Sequence, residues 1–118
     1  MMRPSNDLPA IYVCVDPVDF RKQIDGLAAL VQDVLALDPF SEHLFAFTNR
    51  RRTHCRVLYW ERSGFVLWTK RLERERFRWP RAAGVTLTLT GQELNWLLDG
   101  FDLSHWRPHQ RLHYDFVA

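Results

Sequence analysis

Glycine is scarce in this chain, five residues in 118, and there are only two cysteines, Cys14 and Cys55. The glycines form no phosphate-cradling loop, and neither a GxSxG nucleophile elbow nor an HExxH helix occurs. Each cysteine sits alone inside an apolar, strand-like run, which excludes a recognisable zinc spacing and predicts two buried free thiols. No apolar stretch approaches the roughly 20 residues that a membrane-spanning helix needs. Residues 1–10 lack the apolar core of a signal peptide, so the expected setting is cytoplasmic. No internal repeat and no low-complexity tract interrupts the chain, and its length predicts one domain.

What is abundant is aromatic and positive. Aromatics are 14% of the residues, with five Trp. The net charge of +2 conceals an uneven distribution. Residues 50–81 hold 11 of the 16 Lys and Arg but only three acids, Glu61, Glu73 and Glu75, leaving that segment at +8 and the remainder at −6. A charge separation of this size governs steering and partner choice, not fold.

The hydrophobic pattern predicts an α+β domain. Residues 1–9 read as a flexible arm. Ile11–Val15 is β-branched and apolar, a buried strand stopped by Asp16-Pro17. From Asp19, an expected N-cap, apolar residues recur at three and four (Phe20, Ile24, Leu27, Val31, Val34, Leu35) and predict one long helix of about five turns, ended by Asp38-Pro39. Three short runs follow, Leu44–Thr48, Cys55–Glu61 and Phe65–Arg71, separated by hairpin-length connections, and predict a three-strand antiparallel meander. Val85–Leu89 alternates as a further strand. Thr90 and Glu93 form a capping box for a short second helix closed by Gly100. The tail, 101–118, reads as loop with a final strand.

Five groups of residues are weighed for chemistry. Arg50, Arg51 and Arg52 fall at a hairpin tip, where they are either a solvated loop or a phosphate contact. In the run from Lys70 and Arg71 to Arg81, an extended backbone puts Arg74, Arg76 and Arg78 on one face. Phe77 and Trp79 then share the other face, either as stacking platforms for bases or as core anchors under a basic strip. Arg21 and Lys22 in the first turn of the predicted long helix oppose its dipole, a conflict that a bound anion would relieve. The carboxylates Asp16, Asp19 and Asp25 gather near the same helix start, but turn and cap roles account for Asp16 and Asp19, nothing in the sequence shows convergence on a metal, and catalysis is not expected. His105, His109 and His113 recur at four, yet Trp106 and Pro108 interrupt any helix there, and neither metal nor cofactor is expected.

Several stretches, taken in order, resemble one known family. They are Arg21–Val31; Asp38–Ser41 with Leu44–Arg52; and Val57–Trp60 with Lys70–Arg74 and Phe77–Pro80. Together they are similar to the small accessory protein of the insertion sequence 66 family, TnpB, which is unrelated to the RNA-guided nuclease of that name. The resemblance covers about residues 10–100. It departs from the family at Gln23-Ile24, at Arg56 and at Thr69-Lys70, and it assigns no role to the tail. It implies a non-catalytic role in transposition, with element DNA, the transposase and the element's other small protein as partners. The candidate nucleic-acid contacts are Arg50, Arg51, Arg52, Arg56, Lys70, Arg71, Arg74, Arg76, Arg78, Arg21 and Lys22. The alternative is a subunit that docks on the transposase without touching DNA. The opposite charges of segment and remainder also allow self-association.

Overall fold

The computed structural model describes Ser5 and residues 10–103. Apart from Ser5 the predicted arm lies outside the described residues, as do the tail beyond Leu103 with its histidines and its final strand. Seven elements follow in order: β1 (Ile11–Cys14), α1 (Ile24–Asp33), β2 (Leu44–Thr48), β3 (His54–Glu61), β4 (Gly64–Arg71), β5 (Thr86–Leu89) and α2 (Gly91–Leu98). The strands form one five-stranded sheet in the order β4-β3-β2-β1-β5. All pairings are antiparallel except β1 with β2, which is parallel and bridged by α1, as a parallel pair requires a crossover. The expected strands are present, but the sheet is larger than a three-strand meander, since the first and last strands complete it.

The central strand β2 is buried throughout, which explains why Leu44-Phe45-Ala46-Phe47-Thr48 reads as a continuous apolar run instead of an alternation. Its side chains divide between two cores. Leu44 and Ala46 join Ile11, Val13, Val57 and Leu89 under α2, where Leu94, Leu97 and Leu98 are buried. Phe45 and Phe47 join Leu58 under Leu27, Val31 and Leu35, from α1 and the turn after it. Each such side chain contributes about 1.5–3 kcal/mol by leaving water.

The predicted long helix is corrected at both ends. α1 has ten residues and begins after Gln23, not at Asp19. Asp19 is no N-cap: its carboxylate accepts from the Arg21 amide at 2.9 Å and pairs with the Arg21 guanidinium at 2.6 Å. A helix starting there would spend the Phe20 and Lys22 carbonyls on amides four residues ahead. Instead one Arg56 amino group donates to both, at 3.0 and 3.2 Å. At the other end Ala36 takes a left-handed φ of 56°, turning the chain so that Leu35 stays buried while the helix stops. Arg21 and Lys22 therefore precede the helix instead of occupying its first turn, and Asp19 pairs with the Arg21 charge there.

The second helix forms as its sequence dictates. The Glu93 amide donates to the Thr90 hydroxyl at 3.1 Å and the Thr90 amide to the Glu93 carboxylate at 2.9 Å, closing the capping box. Gly100, at φ 94°, ends it: its amide reaches the Leu97 carbonyl and the Phe101 amide reaches Trp96, satisfying carbonyls that the helix leaves open.

Candidate nucleic-acid interface

Three segments meet at the end of the sheet where β3 begins and β4 ends. The first is the turn between β2 and β3. Asn49 organises it: its side-chain carbonyl accepts from the Thr53 and His54 amides at 2.9 and 3.0 Å, and its amide group donates to the Thr53 hydroxyl at 3.0 Å. The Arg52 amide closes onto the Asn49 carbonyl, and Arg52 accepts a φ of 59°. With the backbone satisfied internally, Arg50 and Arg51 project outward and are exposed.

The second segment is the strap, residues 72–81, which has no regular secondary structure. It is held at its start and its middle by backbone bonds to that turn, Leu72 amide to Thr53 carbonyl at 2.8 Å and Phe77 amide to Arg52 carbonyl at 2.7 Å. Phe77 and Trp79 are buried, at 1% and 5% exposure, and the Trp79 indole donates to the Cys14 carbonyl at 2.9 Å. The two rings are thus core anchors and not stacking platforms. Because they point inward, Arg74, Arg76 and Arg78 point outward. Glu73 and Glu75 are exposed as well.

The third segment is the C-terminal end of α2. Lys70, on the neighbouring strand β4, donates to the Leu98 carbonyl at 3.0 Å, placing a cation where the helix dipole is negative.

Between these segments lies an open cleft of about 1040 Å³. Arg50, Arg51 and Arg52 form one wall, Arg74, Arg76 and Arg78 another, and Lys70 and Arg81 complete the basic lining. Glu75, Asp99 and Asp102 are its carboxylates, so cations outnumber anions eight to three. A shallower hollow of about 560 Å³ adjoins it, shares Arg50 and Arg51, and brings in Arg21.

Three candidates stand apart. Arg56 faces the opposite side of the sheet, 4.4 Å above the Phe20 ring, and its role there is to fix the loop before α1. Arg71 pairs with Glu73 at 2.8 Å on the surface outside the cleft. Lys22 lines neither hollow, and its aliphatic stem packs over Gly26, where an added Cβ would lie 3.1 Å from the Lys22 Cβ. Conversely, Arg81 and the carboxylates Asp99 and Asp102 belong to the cleft and were not singled out from the sequence. Nor was Asn49, although an Asn heading a turn with Thr four residues on is a signal for side-chain bonding of this kind.

The remaining chemistry is quiet. Cys14 and Cys55 are free and buried, and burial pushes their thiols up to about 11 and about 12. The hydrogen bonds to Arg21 hold Asp19 down at about 2. Among the described residues no three His, Cys, Asp or Glu side chains converge on a metal position, and no helix is long and apolar enough to cross a membrane.

The family model described as IS66 Orf2 like protein matches residues 9–108. The chain belongs to that family. Among curated proteins it is 36% identical over 111 residues to the uncharacterized protein y4hO of Sinorhizobium fredii strain NBRC 101917 / NGR234, spanning 91% of this chain and 96% of that one. It is 38% identical over 102 residues to y4jC of the same strain, covering 86% of each. No solved structure matches the chain. Membership of the IS66 Orf2-like family makes the chain a transposition-associated accessory protein. The match takes in the turn, the strap and α2, so every wall of the basic cleft lies within the family's span.

Proposed function

We propose that this accessory protein acts without catalysis and holds nucleic acid, chiefly element DNA, by its phosphate backbone in the cleft between the turn, the strap and the end of α2. The observation that carries the reading is convergence: arginines 22 or more residues apart in the chain line one open hollow, and Asn49 and the Phe77 and Trp79 anchors fix the backbone that displays them. Guanidinium groups pair with phosphate through two parallel bonds, and a cleft of net positive charge concentrates field lines on a polyanion. With its two nearest aromatic rings buried, the cleft offers charge and not base stacking, so binding depends weakly on sequence.

Fluorescence anisotropy of labelled single-stranded and duplex oligonucleotides from the element ends, titrated across salt, tests this. Affinity should fall steeply as salt rises. The joint change Arg50→Ala, Arg51→Ala and Arg52→Ala should weaken binding at least tenfold while leaving thermal unfolding in place. Binding to neither oligonucleotide would refute the proposal. A complex with the transposase that survives nuclease treatment but needs the same arginines would instead assign the cleft to an acidic protein surface.

A further inference from the structure

β4 is an outer strand of the sheet, and among the described residues no backbone hydrogen bond reaches its outer side. Proteins blunt such edges with proline, charge, a bulge or brevity. β4 has none of these along its first six residues. It runs for eight residues, pairs with β3 one for one from Glu61↔Gly64 to His54↔Arg71, and reads Phe65-Val66-Leu67-Trp68-Thr69 before its first charge at Lys70. A groove of about 410 Å³ touches Val66, Leu67, Trp68, Thr69 and Lys70. Successive side chains of a strand point to opposite faces, so a hollow touching five in a row runs along the open edge.

We infer that the occupant of this edge is β4 of a second copy of the chain, paired antiparallel, so that two sheets join into one of ten strands. The strand is self-complementary under a two-fold axis perpendicular to the sheet, which keeps every residue on its own face and sets one residue opposite itself. Centred on Leu67, that register stacks Val66 with Trp68 on one face and flanks the Leu67 pair with Phe65 and Thr69 on the other. Among residues 64–70 no like charges meet, and Arg71 falls opposite Ser63 of the turn. Centring on Val66 would oppose Lys70 to the Arg62 turn, and centring on Trp68 would set Lys70 against Val66 and Arg71 against Phe65. In the Leu67 register, Lys70 of the second copy falls opposite Gly64, above which a Cβ would meet nothing within 4 Å. Directly behind Gly64 in the ladder stands Glu61. The Lys70 backbone of the second copy then lies two strand spacings, about 10 Å, from Glu61, which sets opposite charges near each end of the interface.

Sedimentation equilibrium of the full chain should give the mass of a dimer. In Leu67→Cys the two new thiols face each other at the two-fold axis, where strand partners approach within about 5.5 Å. Mild oxidation should therefore link Leu67→Cys about tenfold faster than Thr69→Cys, whose copies sit four residues out of step. Leu67 is half-buried, so circular dichroism checks the fold of the variant; an equimolar mixture of Val66→Cys and Trp68→Cys chains reads the same register without touching that position. A monomer at every concentration overturns the inference, as does a dimer that links equally at positions 67 and 69 or fails to link in the mixture. Neither outcome depends on nucleic acid, so this inference and the proposed function fail separately.

Discussion

Asn49 does more for the basic turn than any arginine in it. Its side chain satisfies two backbone amides of a loop that offers no ladder partners, and this frees Arg50 and Arg51 to point outward. Asn49→Ala removes those acceptors and should destabilise the domain by about 1–3 kcal/mol, the cost of part-buried amides left unpaired. Arg50→Ala, by contrast, removes an exposed side chain and should change stability by less than about 0.5 kcal/mol. Urea denaturation of the two variants separates the residue that builds the turn from one that uses it. The cysteines give a second prediction at this scale. An unfolded chain releases its thiol protons near pH 9, whereas the buried Cys14 and Cys55 hold theirs to about 11 and about 12. Groups with raised folded values stabilise the fold fully below the unfolded value and lose that contribution as pH climbs through the folded one. Stability should thus decline from about pH 9 upward, and an aromatic disulfide reagent should label native protein only at the rate of unfolding. Rapid labelling of both thiols at neutral pH would contradict their placement.

Among the elements, the strap shows how a segment without regular structure can be rigid enough to present charge. Its anchorage rests on two buried rings and one indole hydrogen bond. Trp79→Phe keeps most of the packing and loses the donor to the Cys14 carbonyl, costing about 1 kcal/mol. Trp79→Ala empties the site and should cost about 3–5 kcal/mol. Neither change alters a charge, yet Trp79→Ala should weaken oligonucleotide binding several-fold in the remaining folded protein, because Arg76 and Arg78 lose their fixed backbone; Trp79→Phe should bind nearly as wild type. Equal binding by Trp79→Ala would mean that the strap's geometry is irrelevant. The elements also mark what the residues alone disclose. β-branched runs, the Thr90–Glu93 box and Gly100 act within a few positions, so strands and α2 were legible with near-correct bounds. The start of α1 was not, because Arg56, more than thirty residues away, takes the carbonyls a longer helix would need. The parallel neighbour of β1 is likewise decided by packing at a distance. Charge counting located the basic segment but could not tell that Arg56 and Arg71 leave the cleft while Arg81 enters it, since that depends on the strand positions of the first two and on the path of the strap that carries the third.

At the scale of the whole molecule, the cleft and the β4 edge have consequences for each other. A two-fold axis perpendicular to the sheet leaves both clefts on the same face of the joined ten-stranded sheet. In the register centred on Leu67 the two Lys70 residues are six positions apart along the ladder, so the clefts are separated by at least about 20 Å. A duplex gains about 3.4 Å per base pair, and one lying across both clefts would therefore need more than about six base pairs between its two contacts. An oligonucleotide too short to reach the second cleft should bind one chain with a modest salt dependence. A longer duplex should engage both, and because each neutralised phosphate steepens the logarithmic dependence on salt by about 0.9, doubling the contacts should roughly double the slope. The second contact is also intramolecular, so affinity should rise by more than the number of sites. The measurement is a salt series on duplexes of increasing length, run with wild-type protein and with Leu67→Cys locked as the disulfide dimer. The locked dimer should keep the doubled slope when diluted below the concentration at which the wild type dissociates, whereas the wild type should revert to the single-cleft value. A slope independent of duplex length in the locked dimer would place the two clefts out of reach of one nucleic acid, leaving the sheet edge and the basic cleft as separate devices of the same small domain.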